Sequence, residues 1–119
     1  MVKGLLHPDD AERAVSLGVD AVVLSNHGGR QLDAAPATID VLPTFSALPA
    51  PVILDSGIRR GSDVVKALSL GARAVMVSRA ALYGLAVGGE QGVIEVLQLI
   101  KSEINRTLAL MGHSRITTM

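Results

Sequence analysis

The sequence predicts an α/β fold, the C-terminal half of a (β/α)8 TIM barrel in which parallel strands alternate with helices. Three observations carry this. The hydrophobic period switches several times along 119 residues, between short continuous apolar runs and stretches with helical spacing. The runs are rich in Val, Leu and Ile without polar alternation, the pattern of strands in a covered parallel sheet. Polar and cationic residues gather where the runs stop, and parallel α/β proteins bind ligands at the carboxyl ends of their strands. An open doubly wound sheet would share these features. A full barrel typically needs about 250 residues, and three full strands with a stump leave both sheet edges bare, a hazard unless something pairs there. The chain therefore reads as a half barrel: a fragment, or a unit that pairs with another copy or with a missing half.

The elements follow in order. Met1–Gly4 is the stump of a strand. His7–Gly18 reads as a helix, with Pro8 in its first turn and the acids Asp9, Asp10 and Glu12 at the positive end of its dipole. Its stop is Leu17-Gly18. Asp20–Ser25 is a strand of the kind covered on both faces. Thr38–Leu48 is a helix that Thr38 could cap and that Pro43 interrupts. Pro51–Gly57 is a strand running into a turn, and Arg60–Gly71 is a helix with Ser62 as cap and Val64, Val65 and Leu68 on one face. Ala72–Ser78 is the last strand. Arg79–Glu90 reads as a loop that can hold a short helix, and Gln91–Gly112 as a long amphipathic helix. The tail His113–Met119 has no strong preference.

Composition excludes several classes. Lysine plus arginine balances aspartate plus glutamate, so nothing electrostatic favours nucleic acid as a partner. Without cysteine there are no disulfides or thiolate metal sites. No apolar run approaches the roughly 18 residues of a membrane span. The first residues lack the basic and apolar regions of a signal peptide, so the expected location is the cytoplasm, with peripheral membrane attachment of a full-length protein allowed. With one Tyr, one Phe and no Trp, Val, Leu, Ile and Ala must build the core; Tyr83 and the methionines are assigned to packing. His7 and His113 are assigned structural roles beside helix ends.

Four successive strand ends deliver a cation or a histidine to one rim: Lys3; His27 and Arg30; Arg59 with Arg60; and Arg79 after Ser78. Gly57 and Gly61 would let backbone approach a ligand, and a helix starting near Ser62 would offer free N–H groups to a phosphate. Arg59 and Arg79 can add charge-assisted hydrogen bonds. The competing reading is a tight turn with surface arginines paired to Asp55 or Asp63. A histidine side chain has an ordinary pKa of about 6.5 and can take up a proton, which makes His27 a candidate base, while the planar fork of Arg30 matches a carboxylate. Together they describe a site for a carboxylic acid that loses a proton. The alternative is a loop histidine bonded to backbone, with Arg30 paired to Asp33.

Ser25–Asp33 (SNHGGRQLD), followed by Asp55–Ala72 and Ala81–Val93, resembles the FMN-dependent α-hydroxy acid dehydrogenases and oxidases along essentially all of the chain. The resemblance implies a partial barrel over residues 1–119, from the end of the fifth strand to the eighth helix, with FMN at its mouth. It implies that His27 is the base and that Arg30 binds the substrate carboxylate. Lys3 would lie beside the flavin, Ser25 would contact it, and Asp55, Ser56, Gly57 and Arg59 would form the ribityl and phosphate segment with Ser78 and Arg79. The implied reaction oxidises a small L-2-hydroxy acid to the 2-keto acid, electrons leaving to oxygen, a quinone or a cytochrome. Two departures stand out. Ser78 occupies a position where the family usually has glycine, and the family's carboxylate that orients the histidine lies in the other half of the barrel. A half barrel that binds FMN or phosphate, or pairs with another chain, without turnover is the alternative.

Overall fold

The computed structural model describes residues 1–116; the last three positions of the tail lie outside the described residues. Strand β1 (Val2–Leu5) is followed by α1 (Pro8–Ser16), β2 (Val22–Leu24), α2 (Thr38–Val41), β3 (Val52–Leu54), α3 (Gly61–Ser69), β4 (Ala74–Val75) and α4 (Arg79–Leu110). The four strands are parallel and lie side by side in chain order. Each returns through a helix to the next position, as βαβ units require.

One cluster holds the core. Val22 and Leu24 of β2 and Val52 and Leu54 of β3 pack with Ala11 of α1, Leu42 and Phe45, Val64 and Ala67 of α3, and Ile100 of α4. These strand residues alternate with a second set, Lys3, Val23, Ile53 and Ala74, which stand in register across the sheet and belong to no part of that cluster. The period of two sends the two sets to opposite faces. Helices therefore cover one face of the sheet, as in a barrel, where the other face of the strands turns inward.

Local chemistry explains most element ends and corrects a few expectations. His7 precedes α1 and its Nδ1 accepts the Asp9 N–H at 3.3 Å, a structural role as anticipated. Thr38 does not cap α2: Ala37 holds that position, and the Thr38 hydroxyl donates to the Ser56 carbonyl at 3.2 Å. The helix tightens to a 3-10 turn over Leu42–Phe45, where Pro43 lacks the N–H that an α-helical bond would need. At α3 the cap position is Arg60 rather than Ser62. The stretch from Arg79, read as a loop that can hold a short helix, belongs to α4, which breaks only at Gly88-Gly89. Its two arms fold back so closely that a Cβ on Gly84 would stand 2.5 Å from the Gly92 carbonyl oxygen. Tyr83, expected to pack, is exposed.

Candidate active site

The β2 strand stops because its next residues are committed elsewhere. The Asn26 side chain accepts the Gly28 N–H at 2.9 Å and starts a 3-10 turn over His27–Gly29. Gly28 and Gly29 sit at positive φ, and so does His27 at 56°. A left-handed histidine costs on the order of 1–2 kcal/mol, and the His27 N–H is held there by the buried Ser25 hydroxyl at 3.1 Å. The turn after β3 repeats the device, with Ser56 at φ 80° and Gly57 at 81°. The Ser56 hydroxyl accepts the Gly28 N–H at 3.1 Å, so the two strained turns hold each other.

Beneath them lies a polar network. Lys3 Nζ contacts Asp55 Oδ2 at 2.8 Å and donates to Ser25 Oγ at 3.1 Å. Ser25 Oγ in turn donates to Asp55 Oδ2 at 2.6 Å. Burial alone would raise the Asp55 pKa. The hydrogen bonds from Lys3 and Ser25, the charge of Lys3 and the Ser56 N–H together outweigh it, and the carboxyl is held below its ordinary value. Three strand ends are thus tied by one ionised carboxylate.

Over this network opens a cleft of about 620 Å³. Lys3, His27, Arg30, Asp55, Ser56, Gly57, Ser78 and Arg79 all line it. Two of the expected site residues do not: Ser25 is buried behind the wall, and Arg59 is not among the lining residues. Gly28, Gln31, Met76, Val77 and Leu82 complete the walls. Met76 had been assigned to core packing but is exposed. It extends β4 by one N–H bond, to Leu54 at 2.8 Å, and so reaches the cleft. Among the described residues neither Arg30 nor Arg59 forms an ion pair, so the expected alternatives with Asp33, Asp55 and Asp63 are not what occupies them.

The anion-binding end differs from the sequence-based expectation. At α3 the N–H groups of Arg59 and Arg60 both donate to Asp63 Oδ2 at 3.0 Å, and that of Gly61 donates to Glu103 at 2.7 Å. The chain's own carboxylates therefore occupy this positive helix end. The N-terminus of α4 is different: Ser78 makes no capping bond, and Ser78, Arg79 and Leu82 face the cleft. The Arg79 guanidinium lies against Gly28, where an added Cβ would stand 3.5 Å from Nη2. Among the described residues no group of His, Asp and Glu could hold a metal ion, and no helix is long and apolar enough to cross a membrane.

A family model described as FMN-dependent dehydrogenase matches residues 1–119. The chain belongs to that family. It is 57% identical to (S)-mandelate dehydrogenase of Pseudomonas putida over all of this chain and 30% of that protein. It is 52% identical to an L-lactate oxidase of Nostoc over 98% of this chain and 33% of the other. The crystal structure of the monotopic membrane protein (S)-mandelate dehydrogenase superposes with a TM-score of 0.94, at 57% identity, over 98% of this chain and 32% of that one. A mandelate oxidase structure gives 0.92 at 42% identity, over 98% and 37%. The four-stranded parallel sheet with its helices matches the TIM-barrel fold of these neighbours. The chain spans about a third of the length of the curated relatives it matches.

FMN is the cofactor of the family, and the donor set fits it. The cleft volume lies within the roughly 300–1,000 Å³ of cofactor sites. Two arginines, a lysine and an uncapped helix N-terminus face it, and its carboxylate is already neutralised by Lys3. An anionic phosphate and an electron-rich ring are what such a lining attracts.

Proposed function

We propose that residues 1–119 form the part of a FMN-dependent α-hydroxy acid dehydrogenase or oxidase barrel from the end of its fifth strand to its eighth helix. The whole protein oxidises a small L-2-hydroxy acid to the 2-keto acid and passes the electrons to oxygen, a quinone or a cytochrome. The observation that carries the reading is the convergence on one cleft of Lys3 from β1, His27 and Arg30 from the end of β2, Asp55–Gly57 from the end of β3 and Arg79 from beyond β4. Bound FMN supplies a two-electron acceptor. Arg79 and the start of α4, with Ser78, would hold its phosphate; Asp55, Ser56 and Gly57, which line the cleft, would hold the ribityl segment, and Arg59, which does not line it, would add charge from outside. Lys3 offers a cation where the reduced ring carries negative charge, and Ser25 and Asp55 keep its ammonium in place. Arg30 binds the substrate carboxylate through its fork. The His27 imidazole, turned into the cleft by its left-handed backbone, takes the proton from the substrate.

A second reading, FMN binding without turnover by this chain alone, is favoured by one observation. Among the described residues no side chain bonds the His27 ring, whose backbone alone is anchored. An unoriented imidazole is a poor base. Titrating the purified chain with FMN, then adding L-lactate or L-mandelate without oxygen, separates the two. Bleaching of a perturbed flavin band supports turnover; binding without bleaching supports the second reading; no binding contradicts both. The cytoplasm, or the membrane surface from the cytoplasmic side, is the location proposed for the whole protein.

A further inference from the structure

Gly4 follows Lys3 in β1, at φ 97°, where the β1–β2 register shifts between Lys3 and Leu5. A Cβ built there would stand 2.6 Å from His27 Nε2, with ring atoms Cε1 and Cδ2 at 3.4 and 3.6 Å. Real Cβ atoms do not approach that closely, so one side must move. The obstacle is not backbone but the tip of an exposed two-torsion side chain, so the imidazole yields. The nearest ring atom is also Nε2, one of the two that can exchange a proton. A methyl group at position 4 would therefore push the ring, Nε2 first, out of the place it holds.

We propose that Gly4 is a positioning residue for His27: its missing side chain leaves the room against β1 in which the imidazole rests. This rests on the assignment of His27 as base. It assigns β1 two tasks at adjacent residues, a cation from Lys3 and an empty volume from Gly4. The register shift makes both possible, because it puts consecutive residues of one strand against the same site.

The strain of a positive φ must be separated from the blocked space, and Gly71 provides the control. It lies at φ 100°, outside the cleft, and a Cβ there would meet nothing within 4 Å. Gly4→Ala and Gly71→Ala therefore carry similar backbone strain, and only the first touches the imidazole. The readout is the set of histidine ring C–H resonances through a pH titration of the purified chain. The protein has three histidines, and the His27 signal is identified by its loss in His27→Gln. The expected result is that both glycine variants melt earlier by a similar amount. Only Gly4→Ala should shift the His27 ring resonances, leaving those of His7 and His113 in place. An unmoved His27 signal in Gly4→Ala, or an equal shift in Gly71→Ala, overturns the proposal. A second measurement needs no variant: the parent chain should show nuclear Overhauser contacts between the Gly4 α-protons and the His27 ring, and their absence also overturns it. Neither readout depends on turnover. Failure of flavin reduction would strike the functional reading alone, and failure of these signals the positioning role alone.

Discussion

Replacing Asp55 by Asn removes one charge from the centre of the network and little volume. The carboxylate side chain is 10% exposed and its ion-pair partner Lys3 is 41% exposed. Breaking a fully buried pair costs about 3–5 kcal/mol, but a lysine this open regains water. The loss is then that of charge assistance in the Lys3 and Ser25 bonds, about 2 kcal/mol. For a domain of this size that lowers the melting temperature by about 6–10 °C at neutral pH. The sign of the pH dependence is fixed by the depressed pKa of Asp55. The folded state binds its proton more weakly than the unfolded state does. The stabilisation is therefore complete above the unfolded value of about 3.9 and disappears as pH falls through the lower folded value. Melting curves of the parent and Asp55→Asn, followed by circular dichroism from pH 7 downward, should converge below about pH 3.9. A difference that stays constant through the acid range, or no difference at pH 7, would refute the reasoning.

Arg79→Ala should weaken FMN binding by about 10- to 100-fold, the worth of a charge-assisted hydrogen bond, read by fluorescence titration with the melting temperature as control. Arg30→Lys should raise KM for the hydroxy acid by roughly tenfold while FMN affinity stays unchanged, because the charge survives and the fork does not. Gly61→Ala should destabilise by about 1–3 kcal/mol in denaturant unfolding. Its methyl would press on the Ile100 carbonyl oxygen at 2.5 Å, and helix backbone cannot swing aside.

The order of strands and helices was legible because local periodicity and punctuation suffice for it: Pro8 opens α1, and Gly18 and Gly71 follow helix ends. The convergence of strand ends on one cleft was legible too, since parallel topology alone puts them on one rim. Partners distant in the chain were not. Glu103 reaches the Gly61 N–H from α4, so the anion site expected at α3 is occupied by protein. Nothing near Gly61 in the sequence announces that. Ser62 resembled a cap by residue type, yet Asp63 makes the bonds. The role of Gly4 was hidden because a missing side chain carries no chemical signal; only the ring it faces reveals it.

The central claim is that one cleft holds FMN and that His27 takes the substrate proton there. The most direct test is stopped-flow flavin reduction without oxygen, comparing the whole protein that contains this segment, loaded with FMN, with its His27→Gln variant, with L-lactate and L-mandelate as substrates. Both proteins should bind FMN equally, and only the parent should bleach. Reduction of the variant at the parent rate, or loss of FMN from the variant, would contradict the claim.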